Sequence, residues 1–199
     1  MKELTRRAVL TGAAAATAST TLPFATASPA LASAPAAAKQ APGFYRAKLG
    51  DFEITQIADG ARTFPMPDTF VKNVPKEQAL AAAEAAYMPK GMVTVPFNPI
   101  VINTGSKLVL IDAGYGPATL PAAGLLPANM AAAGIDAGAI DIVVLSHLHP
   151  DHINGIKTAD NKLAFPNAEI KAPAQDWAFW MSEDNAGKAA NDMMKGYFA

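Results

Sequence analysis

All three histidines of the 199-residue chain fall within six positions, in Ser146-His147-Leu148-His149-Pro150-Asp151-His152. They follow Ile140 to Leu145, a short apolar run broken only at Asp141, which has the pattern of a strand buried on both faces. A fold that carries this segment must therefore deliver a buried strand to a loop holding four potential metal ligands. In an extended chain side chains two apart point to one side, so His147 and His149 can converge on one ion while Leu148 turns into packing. Pro150 biases His149 toward the extended region, in agreement with that geometry. The chain then turns, and Asp151 and His152 can address a second ion. Imidazole and carboxylate suit zinc and similar divalent ions. A solvated loop could also gather three histidines. A two-histidine, one-carboxylate iron site is the sharper rival, because His149-Pro150-Asp151 supplies an H-x-D pair, but its third ligand would need another histidine and this sequence has none.

Composition narrows the chemistry further. Without cysteine, disulfide frameworks, thiolate zinc sites and cysteine nucleophiles are excluded. Charged residues are 17% of the chain and the formal net charge is −1, which lacks the basic stripe of a nucleic-acid binder. No apolar run approaches the ~18 residues of a membrane span.

Residues 1–38 read as a processing segment, with Lys2, Arg6 and Arg7 ahead of a weakly apolar stretch and then an Ala/Ser/Pro-rich linker. Thr5-Arg6-Arg7-Ala8-Val9-Leu10 resembles the twin-arginine export signal, with Val9 where that signal usually has Phe. The expectation is export to the periplasm, or secretion, with maturation between Ala32 and Ala38 and no membrane attachment afterwards. Residues 39–199 are expected to form part of one domain.

Within that domain, Phe52–Ile57 alternates with a strand's period, and Asp59-Gly60 is a turn signal before Arg62-Thr63-Phe64, so an opening hairpin is expected. Lys76–Tyr87 is rich in helix formers behind Pro75. Pro99–Asn103 and Lys107–Ile111 predict a second hairpin. Leu120–Ala133 predicts a helix ended by Gly134, Glu169–Ala172 a strand and Ala174–Ser182 a helix. The alternation indicates an α/β class with a mixed sheet.

With these residues in view, the His147-x-His149-x-Asp151-His152 segment after a buried strand resembles the binuclear metal motif of the metallo-β-lactamase superfamily. Leu110-Ile111-Asp112-Ala113-Gly114 is similar to that family's first motif. Pro42–Arg46, Leu49–Thr55, Asn103–Leu110 and Ala164–Ala168 resemble the methyl parathion hydrolase and acyl-homoserine lactonase branch. The resemblance implies an αββα sandwich with two divalent metal ions, zinc being the expected one, at the sheet edge. It assigns His147 and His149 to one metal and Asp151 and His152 to the other. Asp112 orients the ligands from behind, and Asp151 also holds the hydroxide that two cations generate from water near neutral pH. Tyr115, Trp180 and Tyr197 are the candidate walls of a substrate pocket.

The implied activity is hydrolysis of a small-molecule lactone, ester or organophosphate, by an enzyme that could be a homodimer. β-Lactam hydrolysis, glyoxalase-like thioester hydrolysis and a non-catalytic metal- or partner-binding remnant are the alternatives. The family's later ligands include further histidines, and none occurs in the 47 residues after His152. Asp160, Glu169, Asp176, Glu183, Asp184 and Asp192 lie there, none in a recognisable motif. The expectation is thus a sandwich truncated before its second half, the amino-terminal part of a hydrolase that is active only when full length.

Overall fold

The computed structural model describes residues 41–117, 120 and 122–198. The export signal and linker expected over residues 1–38 lie outside them. Residues from Ala41 onward form one compact unit. No helix among the described residues is long and apolar enough to cross a membrane.

The chain runs β1 (Phe44–Leu49), β2 (Phe52–Ile57), β3 (Gly60–Pro65), α1 (Lys76–Ala85), β4 (Met92–Phe97), β5 (Ile100–Asn103), β6 (Leu108–Ile111), α2 (Leu126–Ala132), β7 (Ile142–Val144), α3 (Pro150–Ile153), β8 (Glu169–Lys171), α4 (Ala174–Trp180), α5 (Glu183–Gly187) and α6 (Asp192–Tyr197). Six strands form a mixed sheet in the order β1-β2-β5-β6-β7-β8, and β3 pairs with β4 in a separate two-stranded sheet. The first four strands of the large sheet are antiparallel, whereas β6, β7 and β8 run parallel. This is the mixed α/β architecture expected from the alternation of strand and helix signals.

Register explains the core. Thr55, Val101, Leu110 and Val143 stand in one row across four strands, and all four are at most 2% exposed. Burying each large apolar side chain of such a row stabilises by ~1.5–3 kcal/mol. Met130 and Leu126 of α2 join the same cluster, as do Leu145, Leu148 and Trp180. A smaller cluster of Met66, Ala83 and Val93 seats α1 on the β3–β4 ribbon.

Two expectations need correction. The hairpin between Phe52–Ile57 and Arg62–Phe64 does not form: β2 pairs with β1 and β5, while β3 leaves for β4. The cause lies at the corner, where the Ile57 and Asp59 N–H groups donate to Pro99 and Phe97 carbonyls, and the Asp59 side chain is buried inward instead of turning to solvent. The helix expected from Leu120 starts only at Leu126, because Pro127 sits in its first turn, where its missing N–H costs nothing. Gly134 does end it, at φ +75°. Strand β1 and helices α5 and α6 carry no periodic signal strong enough to announce them.

Candidate metal centre

The site is built where two parallel neighbours end. Ile111 of β6 lies opposite Val144 of β7, and the Asp112 N–H donates to the Val144 carbonyl at 2.9 Å. Ligands of open α/β sheets gather at such carboxyl ends. Asp112 adopts φ +60°, a left-handed conformation that a non-glycine residue holds only when its surroundings compel it. Here they do: Asp112 Oδ1 accepts the Ser146 N–H at 2.7 Å, and Oδ2 accepts the Ser146 hydroxyl at 2.9 Å. The same Oδ2 lies 2.8 Å from Nδ1 of His152.

That last contact sets the histidine's chemistry. A carboxylate at Nδ1 holds the proton there and leaves Nε2 as the donor atom for a metal. Nε2 of His152 in turn faces Asp151 Oδ2 at 3.1 Å. Two donors bound to one tetrahedral ion at ~2.0–2.1 Å are ~3.3 Å apart, so this pair has the spacing of two ligands of one cation. Two acceptor atoms this close are reconciled only by a cation between them, whether a proton or a metal ion. The residues therefore fit a divalent metal in chemistry and, at Asp151 and His152, in spacing. No group of three or more such side chains among the described residues is posed to hold an ion as it stands.

His147 and His149 stand beside this pair. The His147 ring is 4.6 Å from that of His149 and 3.9 Å from that of His152, centre to centre, and its Nδ1 lies 3.1 Å from the Ser146 hydroxyl. Burial, reinforced by the neighbouring His152 and His149, holds His147 below the ordinary histidine value against the pull of Asp151 and Asp112. A neutral imidazole with a free lone pair is the form that a metal requires. His149 is extended, at φ −78° and ψ 155°, and α3 begins at Pro150, so Asp151 and His152 come around on the first helical turn. The structure thus brings Asp112, His147, His149, Asp151 and His152 into one cluster.

The three aromatic candidates divide. Tyr115 and Tyr197 line a cleft of about 170 Å³ with Arg62, Phe64, Phe97 and Asp151. A second opening of about 250 Å³, walled by Val95 to Pro99, reaches Asp112, Asp151 and His152. Trp180 is 6% exposed and belongs to the core. Its ring meets His149 edge-on at 5.6 Å, so it backs that histidine and does not line the cleft. A larger groove of about 610 Å³ is walled by apolar residues such as Leu145, Leu148, Ile156 and Trp177 and carries no titratable side chain.

Two contributors carry no motif in the sequence. Ser146 is there only the residue before the histidines, yet its N–H and hydroxyl hold Asp112. Asp59, which resembles an ordinary turn residue before glycine, is fully buried. Its Oδ2 accepts the Tyr115 N–H at 2.7 Å and its Oδ1 the Leu126 N–H at 2.8 Å. Burial pushes its carboxyl above the usual range, and the N–H groups of Tyr115, Leu126 and Gly124 pull the other way. Asp59 thereby anchors the loop that begins at Asp112. No periodicity marks such a residue; only the alternation that ends at Ile57 hints that the next positions leave the sheet.

Comparison with known proteins agrees with this architecture. A family model described as the metallo-beta-lactamase superfamily matches residues 95–191, a span that includes Asp112 and the histidine cluster. Among solved structures, hydrolase AbOPH of the beta lactamase superfamily is 31% identical, with 80% of this chain and 54% of that one covered at a TM-score of 0.70. AidC, a dizinc quorum-quenching lactonase in complex with the product N-hexnoyl-L-homoserine, is 28% identical, with 78% and 55% covered at a TM-score of 0.70. A probable metal-dependent hydrolase from Staphylococcus aureus, 22% identical with 77% and 55% covered at 0.61, shares the fold. The chain spans about half the length of these structures. No curated protein matches it. On the family match, the shared sheet and the placement of both motifs at its carboxyl edge, the chain is similar to the metallo-β-lactamase superfamily and has its mixed α/β fold.

Proposed function

We propose that this chain carries metal-ligating residues of an exported, metal-dependent hydrolase acting on a small-molecule lactone, ester or organophosphate. The observation that carries the reading is the Ser146–Asp112–His152–Asp151 relay, in which each polar atom is held by the one behind it and the last two stand at the spacing of ligands to one ion. AbOPH and AidC support the choice of chemistry, being a hydrolase and a dizinc lactonase.

Two divalent ions, zinc in our reading, would polarise a carbonyl or phosphoryl oxygen and acidify the attacking water. His147 and His149 would hold one ion, and Asp151 and His152 the other. Asp112 keeps the His152 proton on Nδ1. Asp151, which lines both openings, would orient the nucleophile. Tyr115 and Tyr197 give the cleft an apolar wall on which the acyl or leaving group can lie.

The test is hydrolysis of an N-acyl homoserine lactone, an aryl phosphotriester, a thioester and a β-lactam by the protein supplied with zinc, against His149→Ala. Turnover of the first two that is lost in the variant supports the proposal. Turnover of the β-lactam or thioester alone redirects it within the superfamily. A second reading, a metal- or partner-binding remnant, draws on the finding that three ligands are not posed around one ion among the described residues. Stoichiometric metal without turnover would favour it.

A further inference from the structure

His147 and His149 reach one site only while the peptide between them stays extended. Strand pairing does not enforce this, because the ladder of β7 on β8 ends at Val144 opposite Lys171, with one more bond from the Leu145 N–H to the Lys171 carbonyl. Beyond it the chain needs another partner. Leu148 is 7% exposed, and a buried backbone N–H without an acceptor carries the full penalty of its lost hydration. That acceptor is Asp176, whose Oδ2 lies 2.5 Å from the Leu148 nitrogen across 28 residues of sequence.

The placement is specific. Asp176 is in the first turn of α4, and Trp180, one helical turn later, is the buried residue of that helix. Trp180 packs edge-on against His149. One helix therefore holds the ligand segment twice, by its backbone midway between the two histidines and by the ring of the second. The Leu148 side chain joins the main core, so the strand pattern, His147 and His149 to one side and Leu148 to the other, is pinned at its centre.

We propose that Asp176 is a positioning residue for the metal centre: by accepting the Leu148 N–H it fixes the peptide that sets His147 and His149 side by side. This rests on the reading of those histidines as metal ligands. The competing role, an acidic residue that merely favours the N-terminus of α4, needs the charge of Asp176 and not its reach to Leu148.

The experiment is a Co(II) titration of the full chain and its Asp176→Asn and Asp176→Ala variants, with affinity read by competition with a chromophoric chelator and ligand geometry by the visible spectrum. Amide exchange at Leu148 is followed in the metal-free proteins. Groups that hold metal ligands from behind typically account for ~10–100-fold in affinity. Asp176→Ala should lose that much, change the Co(II) spectrum and speed exchange at Leu148. Asp176→Asn, which keeps an acceptor oxygen, should retain most of the affinity and a slowed Leu148 amide. Wild-type affinity and spectrum in Asp176→Ala would overturn the proposal. So would an Asn variant as impaired as Ala, and the Asn variant decides alone if Ala does not fold. A wild-type chain that binds no Co(II) while Leu148 exchange still depends on Asp176 would remove the metal reading itself, an outcome distinct from the others.

Discussion

Replacing Asp59 with asparagine exchanges one oxygen for an amide nitrogen at nearly constant volume, so it isolates hydrogen bonding from packing. Both carboxylate oxygens accept a backbone N–H, from Tyr115 and from Leu126. Asparagine can serve only one of them, and its amide NH₂ would face the other N–H. One buried donor is then left unpaired at ~1–3 kcal/mol, a loss that the protonated acid escapes because its hydroxyl oxygen can still accept. We therefore expect Asp59→Asn to destabilise by about 1–3 kcal/mol. Urea unfolding monitored by the fluorescence of Trp177 and Trp180 measures it, as a lower midpoint at unchanged slope. The pH dependence has a definite sign. The carboxyl is raised in the folded protein from an unfolded value of 3.8, so its stabilising contribution is whole below that value and is lost as pH rises through the folded one. The wild-type lead over Asp59→Asn should therefore be widest below about pH 4 and narrower at neutral pH. A variant within ~0.5 kcal/mol of wild type, the range of ordinary surface changes, would refute the anchoring role.

Three further outcomes are expected. Gly155→Ala would set a Cβ 1.8 Å from the Ala113 carbonyl oxygen, so the loop after Asp112 must move off the 3-10 turn Asn154–Ile156 that follows α3; a loss above ~3 kcal/mol is expected in the same unfolding assay. Gly114→Ala combines φ +75° with a Cβ 2.7 Å from the Asp59 carboxylate, and should lower the melting temperature while enlarging the exposure measured by dye binding. Asp112→Asn keeps the left-handed backbone tolerable but cannot hold both Ser146 and His152 as now; zinc affinity should fall ~10–100-fold by competitive chelation, with stability changed far less.

How much of the fold and site is legible in the sequence depends on the range over which each signal acts. The histidine cluster and the strands on either side of Gly105 are local patterns of ligand spacing and apolar runs, and the two strands pair where those patterns predict. The corner at Asp59 does not, because a carboxylate beside glycine has the same local signature whether it faces water or the core. What decides it is Leu126 and Tyr115, more than fifty residues away. Pro127 has the local signature of an interruption but marks a beginning, a difference set by where the chain first meets α2. Trp180 suits a cleft by residue type alone, while packing places it behind His149. Asp176 carries no motif at all, and its contact with Leu148 exists only once β8 and α4 return the chain to the site.

The central claim is that the residues around His147 to His152 form a metal-binding centre, and metal stoichiometry tests it most directly. The protein dialysed against buffered zinc and then analysed by elemental mass spectrometry should retain bound metal, and His149→Ala and Asp112→Ala should retain markedly less. Wild-type protein that is folded by near-UV circular dichroism yet holds no more zinc than the two variants would contradict the account.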